Sequence, residues 1–327
     1  VAMRERRLPI LATIVVFALL YGLGGLWFDH FLSTRVFGNL LTDNAFVIIA
    51  GLGMTFVILS GGIDLSVGSM IGFVGIAMAM MVTHGWHPLA AAAVLLAFGM
   101  ILGAAMGWAI ATFEIQPFIM TLTGMFMLRG LCFVISLDSV PIKHPFADAF
   151  TEFQIPLPGD GWLSGPALLM LAALAAAIVV AHFTRFGSDV YAVGGDQTSA
   201  LLLGVPVRRT IVGVYALNGV FGALAGVTYA LYTASGYPLA ATGVEMDAIA
   251  SVVIGGTLLT GGVGLVVGTL FGGLIQGLIQ TLIIFDGSLD SWWIRIVIGG
   301  LLFVFIVLQK GIMSSVTSLG GERANAA

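Results

Sequence analysis

Ten apolar runs, most of them near 20 residues, follow one another along the chain at 9–28, 40–60, 65–83, 88–112, 117–137, 164–183, 209–233, 245–260, 263–285 and 293–309. A helix rises about 1.5 Å per residue, so ~20 residues match the ~30 Å hydrocarbon core of a bilayer. Strands of a membrane barrel would instead alternate apolar and polar residues over about ten positions. Lipid offers backbone groups no hydrogen bonds, so only helices or closed barrels span it. The expected fold is all-α, a polytopic transmembrane bundle of about ten helices. Composition closes the alternatives. Only 9% of residues are charged, and 12 Lys+Arg with 16 Asp+Glu cannot cover a 34.1 kDa globule. Soluble domains carry about a quarter. This excludes a soluble enzyme, a nucleic-acid binder and a disordered chain. A single cysteine, Cys132, excludes an internal disulfide, a CxxC pair and a cysteine-rich metal centre.

An even number of spans puts both termini on one side, and the basic residues choose it. Arg4, Arg6, Arg7, Arg185, Arg208, Arg209, Lys310 and Arg323 fall in segments that ten spans place together, whereas Arg35 and Lys143 fall opposite. Cytoplasmic segments are rich in Lys and Arg, so both termini are expected in the cytoplasm. The first run follows three arginines, as a signal peptide would, but it is too long for a signal core and no cleavage site follows; it reads as a retained helix. Two connections are long: 138–163, facing outward, and 184–208, facing the cytoplasm. No shift in composition marks a second unit, so residues 1–327 read as one transmembrane domain. Glycines recur at four-residue spacing, as in Gly68/Gly72, Gly103/Gly107, Gly222/Gly226 and Gly268/Gly272, which suits close helix packing in lipid. Residues 59–72 (LSGGIDLSVGSMIG) and 259–272 (LTGGVGLVVGTLFG) agree at seven of fourteen positions, a weak internal repeat of the kind transporters contain.

The chain lacks its own energy source. A phosphate-binding loop needs a lysine after glycine, and the two lysines, Lys143 and Lys310, follow Ile142 and Gln309. Carboxylates sit at helix ends and in loops rather than in mid-membrane. Glu245 and Asp247 open a helix, and Asp64 lies in the Gly61-Gly62 break beside Ser60 and Ser66, where capping oxygens are wanted. Ion coupling is therefore disfavoured. Paired aspartates, HExxH and a Ser/Lys dyad are missing from the helical runs, so the chain is not expected to be an enzyme by itself. No metal site is expected, since His84 and His87 lack acidic support. What remains is a passive channel or carrier, an assembly subunit, or a subunit that borrows ATP hydrolysis from another chain.

A borrowed motor needs a cytoplasmic grip. In the segment TRFGSDVYAVGGDQTSALLLGVPVR at 184–208, Ser199, Ala200 and three leucines follow Gly194-Gly195-Asp196. This reads as a short amphipathic helix entered through a capping turn and closed by Gly204 and Pro206. Such a helix inserts into a partner's groove or lies on the membrane surface. Phe186, Gly187, Tyr191, Ala192, Gly194, Gly195, Ala200 and Gly204 together resemble the coupling segment of permease subunits in bacterial ABC importers for monosaccharides, the ribose and galactose group. Asp196 stands where that group usually has Asn. The resemblance extends over ILSGGIDLSVGS at 58–69, QPFIMTLTGMFMLRG at 116–130 and EMDAIASVVIGGTLLTGGVG at 245–264. STRVFGNLLTDNAF at 33–46, KHPF at 143–146 and FDGSLDSWW at 285–293 resemble more narrowly a permease subunit of galactofuranose importers. The resemblance implies a location in the bacterial inner membrane, a second homologous permease, an ABC ATPase subunit that binds ATP and Mg, and a periplasmic sugar-binding protein. It implies no cofactor in this chain, no nucleic-acid partner, and coupling through Phe186, Gly187, Asp189, Tyr191, Gly194, Gly195, Asp196, Ala200 and Gly204.

A neutral sugar needs weak polar partners along its route. Gln276 and Gln280, four apart, share a helix face. Asn44, Asn218, Thr121, Thr123 and Arg129 are polar residues in otherwise apolar runs. Each lines a wet path or bonds across helices, because an unpaired buried polar group is costly. Trp292 and Trp293, at a helix start, suit either a sugar face or the aromatic belt of the membrane interface.

Overall fold

The computed structural model describes residues 8–287 and 292–307. From the N-terminal side the chain forms α1 (Leu8–Trp27), α2 (Thr34–Asp43), α3 (Ala45–Leu59), α4 (Val67–Thr83), α5 (Pro88–Phe113) and α6 (Pro117–Ile135). A connection holding β1 (Val140–Pro141), α7 (Pro145–Glu152), β2 (Gln154–Pro156) and β3 (Trp162–Ser164) leads to α8 (Gly165–Phe183). Then come α9 (Arg185–Gly195), α10 (Gln197–Leu202), α11 (Val207–Tyr232), β4 (Ser235–Gly236), α12 (Val244–Ile254) and α13 (Val266–Asp286), followed by α14 (Trp292–Val307). Arg4, Arg6, Arg7, Asp290, Lys310 and Arg323 lie outside the described residues.

Among the described residues six helices, α1, α5, α6, α8, α11 and α13, are each long and apolar enough to cross a membrane. The α2–α3 pair, bent by 56°, makes a seventh if counted as one span. The remaining apolar runs are shorter as helices: α4 and α14 are short of a full span, and the run at 245–260 is helical only through Ile254. Glycine clusters explain the shortening, because the backbone turns at 255–256 and at 261–262 interrupt the helix before Val266.

Helix α3 is the centre of the bundle. Ile48, Ile49, Leu52, Phe56, Val57 and Ile58 are fully buried on every side of it, which is why it is apolar all round instead of along one stripe. Helices α11, α12, α8 and α13 surround it. The outer helices turn large apolar side chains outward, Leu19, Ile101 and Phe126 among them, each more than 60% exposed. Lipid tails, unlike water, accept such a surface without cost. The most extensive contact joins α5 to α11, and it depends on small residues: a methyl group at Gly103 would overlap the Tyr215 carbonyl oxygen, and one at Gly219 would overlap that of Gly99. With no hydrophobic drive between helices in lipid, such close backbone approach supplies the dispersion that holds them.

The two ends of the bundle differ. One end carries the breaks at 60–66 and 255–265 together with α9 and α10. At the other end, β1 pairs antiparallel with β4, Val140 opposite Gly236, and β2 pairs with β3, Ile155 opposite Leu163. There Arg35 donates to the Asp160 carbonyl at 3.3 Å and lies 5.3 Å from the Trp162 ring centroid.

Candidate functional site

The segment at 184–208, expected as a connection with one short helix, contains two helices. The short one is α10, and its start is built as anticipated: Asp196 Oδ1 accepts the Ser199 N–H at 2.6 Å. Gly204, at φ +82°, ends it, with the Val205 N–H donating to the Ala200 carbonyl at 3.0 Å. Ala200 is buried, while Leu201, Leu202 and Leu203 are 64%, 83% and 82% exposed. The other helix, α9, is the one the sequence reading missed. Its signal in the sequence is faint. Thr184 caps it by accepting the Gly187 N–H at 3.1 Å, and Gly187, Val190 and Val193 recur on one buried face. Phe186 packs its ring edge over Gly213 of α11, and Asp189 is half-buried.

Helix α9 ends on the meeting point of the two similar segments. The turns after α3 and α12 are built alike: the Gly61 N–H donates to the Ile58 carbonyl at 2.9 Å and the Gly261 N–H to that of Leu258 at 3.0 Å. Both glycines are left-handed, at φ +83° and +85°, a conformation that a side chain would strain. The segments also bond to each other. The Gly262 N–H donates to the Leu59 carbonyl at 2.9 Å, and Thr55 and Thr269 share a 2.6 Å hydroxyl bond. Gly194 seats on this junction so tightly that a methyl group there would overlap the Leu59 carbonyl oxygen and come within 2.6 Å of Gly262 N. Tyr191 Oη donates to the Gly264 carbonyl at 2.9 Å. Gly195, by contrast, has open space where a side chain would go. The last two turns of α9 therefore touch the C-terminal end of α3 and the N-terminal approach to α13 at once.

Just beyond the first turn lies a buried polar cluster. Asp64 is 2% exposed. Its Oδ1 accepts the Ser66 N–H at 2.7 Å and the Ser66 hydroxyl at 2.6 Å, and its Oδ2 accepts Asn218 Nδ2 at 2.7 Å. Locally Asp64 closes a turn onto Ser66, the residue before α4, and caps no amide within that helix, while its second oxygen reaches a helix 154 residues away. Asn218 Oδ1 has no partner and faces Gly53 of α3. Thr121 Oγ1 accepts the Leu65 N–H at 3.2 Å and donates to the Pro117 carbonyl at 2.9 Å.

Three of the seven polar residues singled out for the sugar route come together elsewhere. Asn44, Gln276 and Gln280 line a cavity of about 200 Å³ that Asp247, Arg295, Val47, Ile294 and Ile298 complete. Asn44 sits at the break between α2 and α3, where its Nδ2 donates to the Leu40 carbonyl at 2.8 Å. Gln276 Nε2 donates to the Asp247 carbonyl at 3.0 Å. Thr121 and Asn218 belong to the cluster around Asp64. Thr123 is exposed on α6 and donates to its own helix at Ile119 O, 3.0 Å away. Arg129 donates through Nη1 to the carbonyls of Pro238 and Ala240 at 2.7 and 2.9 Å, pinning the connection before α12. Trp292 and Trp293 are exposed at the start of α14. Among the described residues no three His, Cys, Asp or Glu side chains gather as a metal site would need.

Charge at Asp196 has a testable consequence. The backbone N–H of Ser199, and then its hydroxyl, hold the exposed Asp196 carboxyl below the usual carboxylate range. A depressed value means that the cap stabilises α10 above the unfolded pKa, about 3.9, and loses that contribution as pH falls through the folded value. Asp196→Ala is expected to speed amide hydrogen exchange across residues 197–202 at neutral pH, whereas Asp196→Asn, also a good cap, is expected to hold exchange near the parent rate. Acidification below about pH 4 should loosen the parent helix and leave the Asn variant unmoved.

Sequence comparison places these features among known proteins. The profile of a family described as branched-chain amino acid transport system, permease component, matches residues 36–306. The inner membrane ABC transporter permease protein YjfF of Escherichia coli (strain K12) is 53% identical over 311 residues, 95% of this chain and 94% of that protein. The fructose import permease protein FruG of Bifidobacterium longum (strain NCC 2705) is 34% identical over 98% of this chain and 94% of its own. The ribose import permease protein RbsC of Escherichia coli (strain K12) is 40% identical over 74% of this chain and 75% of its own. No solved structure matches.

Proposed function

The chain belongs to this permease-component family, with ABC sugar import permeases among its relatives, and is a multi-pass protein of the inner membrane, and from that premise we propose that it carries a monosaccharide from periplasm to cytoplasm by alternating access. The observation that carries the reading is the seating of Gly194 on the paired glycine turns. It supports α9 and α10 as the element through which an external motor acts. The motor is an ABC ATPase subunit that binds ATP and Mg. A second homologous permease completes the membrane domain, and a periplasmic sugar-binding protein delivers the substrate. Galactofuranose is the proposed sugar, on the resemblance of 33–46, 143–146 and 285–293; relatives named for fructose and ribose keep the class monosaccharide.

In this reading the exposed leucines 201–203 enter a groove on the ATPase, and closure of that subunit drives α9 against Leu59 and Gly262. The turns transmit the push into α3, α12 and α13 together, because a hydrogen bond ties the turns to each other. Phe186 fixes α9 against α11 and Gly187 fixes it against α8, while Tyr191 fixes it to Gly264.

Reconstituting the assembled complex in proteoliposomes tests this. Vanadate-sensitive uptake of labelled galactofuranose is expected. Leu202→Glu, which puts a charge on the exposed apolar tip, is expected to cut co-purification of the ATPase subunit and uptake at least tenfold, since burying an unpaired charge costs several kcal/mol. Full assembly and uptake by that variant would refute the docking role of α10, and uptake that runs without ATP would refute the ABC mechanism.

A further inference from the structure

The cavity between α2–α3, α12, α13 and α14 is not explained by helix packing. It runs inward from the end of the bundle opposite α9. Gln276 lies ten residues before the end of α13 at Asp286, about 15 Å along the axis and so near half the thickness of a hydrocarbon core. Gln280 and Arg295 are exposed on its wall. Charged and amide groups at such depth do not face lipid, so the mouth opens to water or to a second subunit.

Its wall is chemically mixed. Asp247 and Arg295 bring a carboxyl and a guanidinium group to the same wall. Asn44, Gln276 and Gln280 add amides that both donate and accept, and Ile294 with Ile298 supplies an apolar patch. The break at Asn44 shapes the wall. Asn44 fits against Gly277 so closely that a methyl group at Gly277 would overlap its amide. Broken helices of this kind form binding sites near the midplane of transporters.

Resting on the sugar-permease reading above, we propose that this cavity is a binding subsite for a single neutral monosaccharide, in which Asp247 and Arg295 read hydroxyl groups and Ile294 and Ile298 take the C–H face. Planar groups that accept in pairs and donate in pairs suit the vicinal hydroxyls of a sugar. At about 200 Å³ the cavity falls below the roughly 300–1,000 Å³ of sites for drug-sized ligands, which suits one small molecule.

The test uses the whole complex with Gln280→Cys on a Cys132→Ala background, labelled with N-ethylmaleimide in the presence of galactofuranose, D-galactose, D-ribose, D-fructose or L-leucine. The sugar that the parent complex imports is expected to slow labelling at least threefold, and L-leucine to leave it alone. Asp247→Asn is expected to raise the KM for that sugar about tenfold with a much smaller change in kcat, a split that a merely structural role would not give. Labelling insensitive to the imported sugar, or slowed by L-leucine instead, would overturn the proposal. A parent complex that imports none of the sugars would defeat the sugar-permease reading itself, and the subsite with it.

Discussion

Replacing Gly194 with valine is expected to abolish ATP-driven uptake, while Gly195→Ala, one position on, is expected to cost less than about threefold. Both glycines belong to the same family-like pattern, and the sequence treats them as equals. Their surroundings do not. At Gly194 a side chain meets the Leu59 carbonyl oxygen and the Gly262 nitrogen, both backbone atoms, whereas at Gly195 it meets nothing within 4 Å. Overpacking costs about 1–3 kcal/mol where neighbours can shift. Here the neighbours are two turns already bonded to each other, so α9 must lift away instead. A cost near the upper end of that range is about 100-fold in the equilibrium that seats α9. The measurement is uptake and ATP hydrolysis by the reconstituted complex. Loss of uptake with hydrolysis persisting is the expected signature of a motor uncoupled from its permease. Equal activity of the two variants would show that Gly194 does not transmit force.

Asp64→Leu is expected to destabilise the folded permease by at least about 3 kcal/mol. The substitution strips the acceptor from three donors at once, the Ser66 N–H, the Ser66 hydroxyl and Asn218 Nδ2. Each buried donor left without a partner costs about 1–3 kcal/mol, a large part of the 5–15 kcal/mol by which folded proteins are stable. Asp64→Asn is expected to be much milder, for a reason specific to this site. Asn218 Oδ1 has no donor in the native structure. Turning the Asn218 amide over lets that oxygen accept from the amide nitrogen introduced at position 64, which restores one bond between the two side chains. Thermal unfolding in detergent, followed by loss of the monodisperse species on size exclusion, separates the two variants. Equal unfolding temperatures would mean that the cluster around Asp64 adds no stability.

How much of this was written in the chain varies with the range of the interaction. The apolar runs announce the helices because burial in lipid is decided residue by residue. The start and end of α10 were legible at Asp196 and Gly204 because a cap and a left-handed turn are local devices. Helix α9 was hidden by Gly187, Gly194 and Gly195, which weaken helices in water but here allow backbone contact. Its buried face, at Gly187, Val190 and Val193, is too short to stand out beside the long apolar runs around it. Gln276 and Gln280 were paired correctly on one face because four residues make about one turn. That Asn44, Asp247 and Arg295 meet them could not be read, since the residues sit on separate helices.

The sequence by itself therefore determined the solvent, the long apolar helices and the local caps, since these follow from transfer free energies and from the reach of a few neighbouring atoms. Tertiary structure alone decided which glycine bears the contact with the junction, which oxygen of Asp64 crosses to α11, and which polar residues share a cavity. Those outcomes depend on how helices far apart in the chain lie against one another, and in lipid that is set by shape and close approach rather than by hydrophobicity.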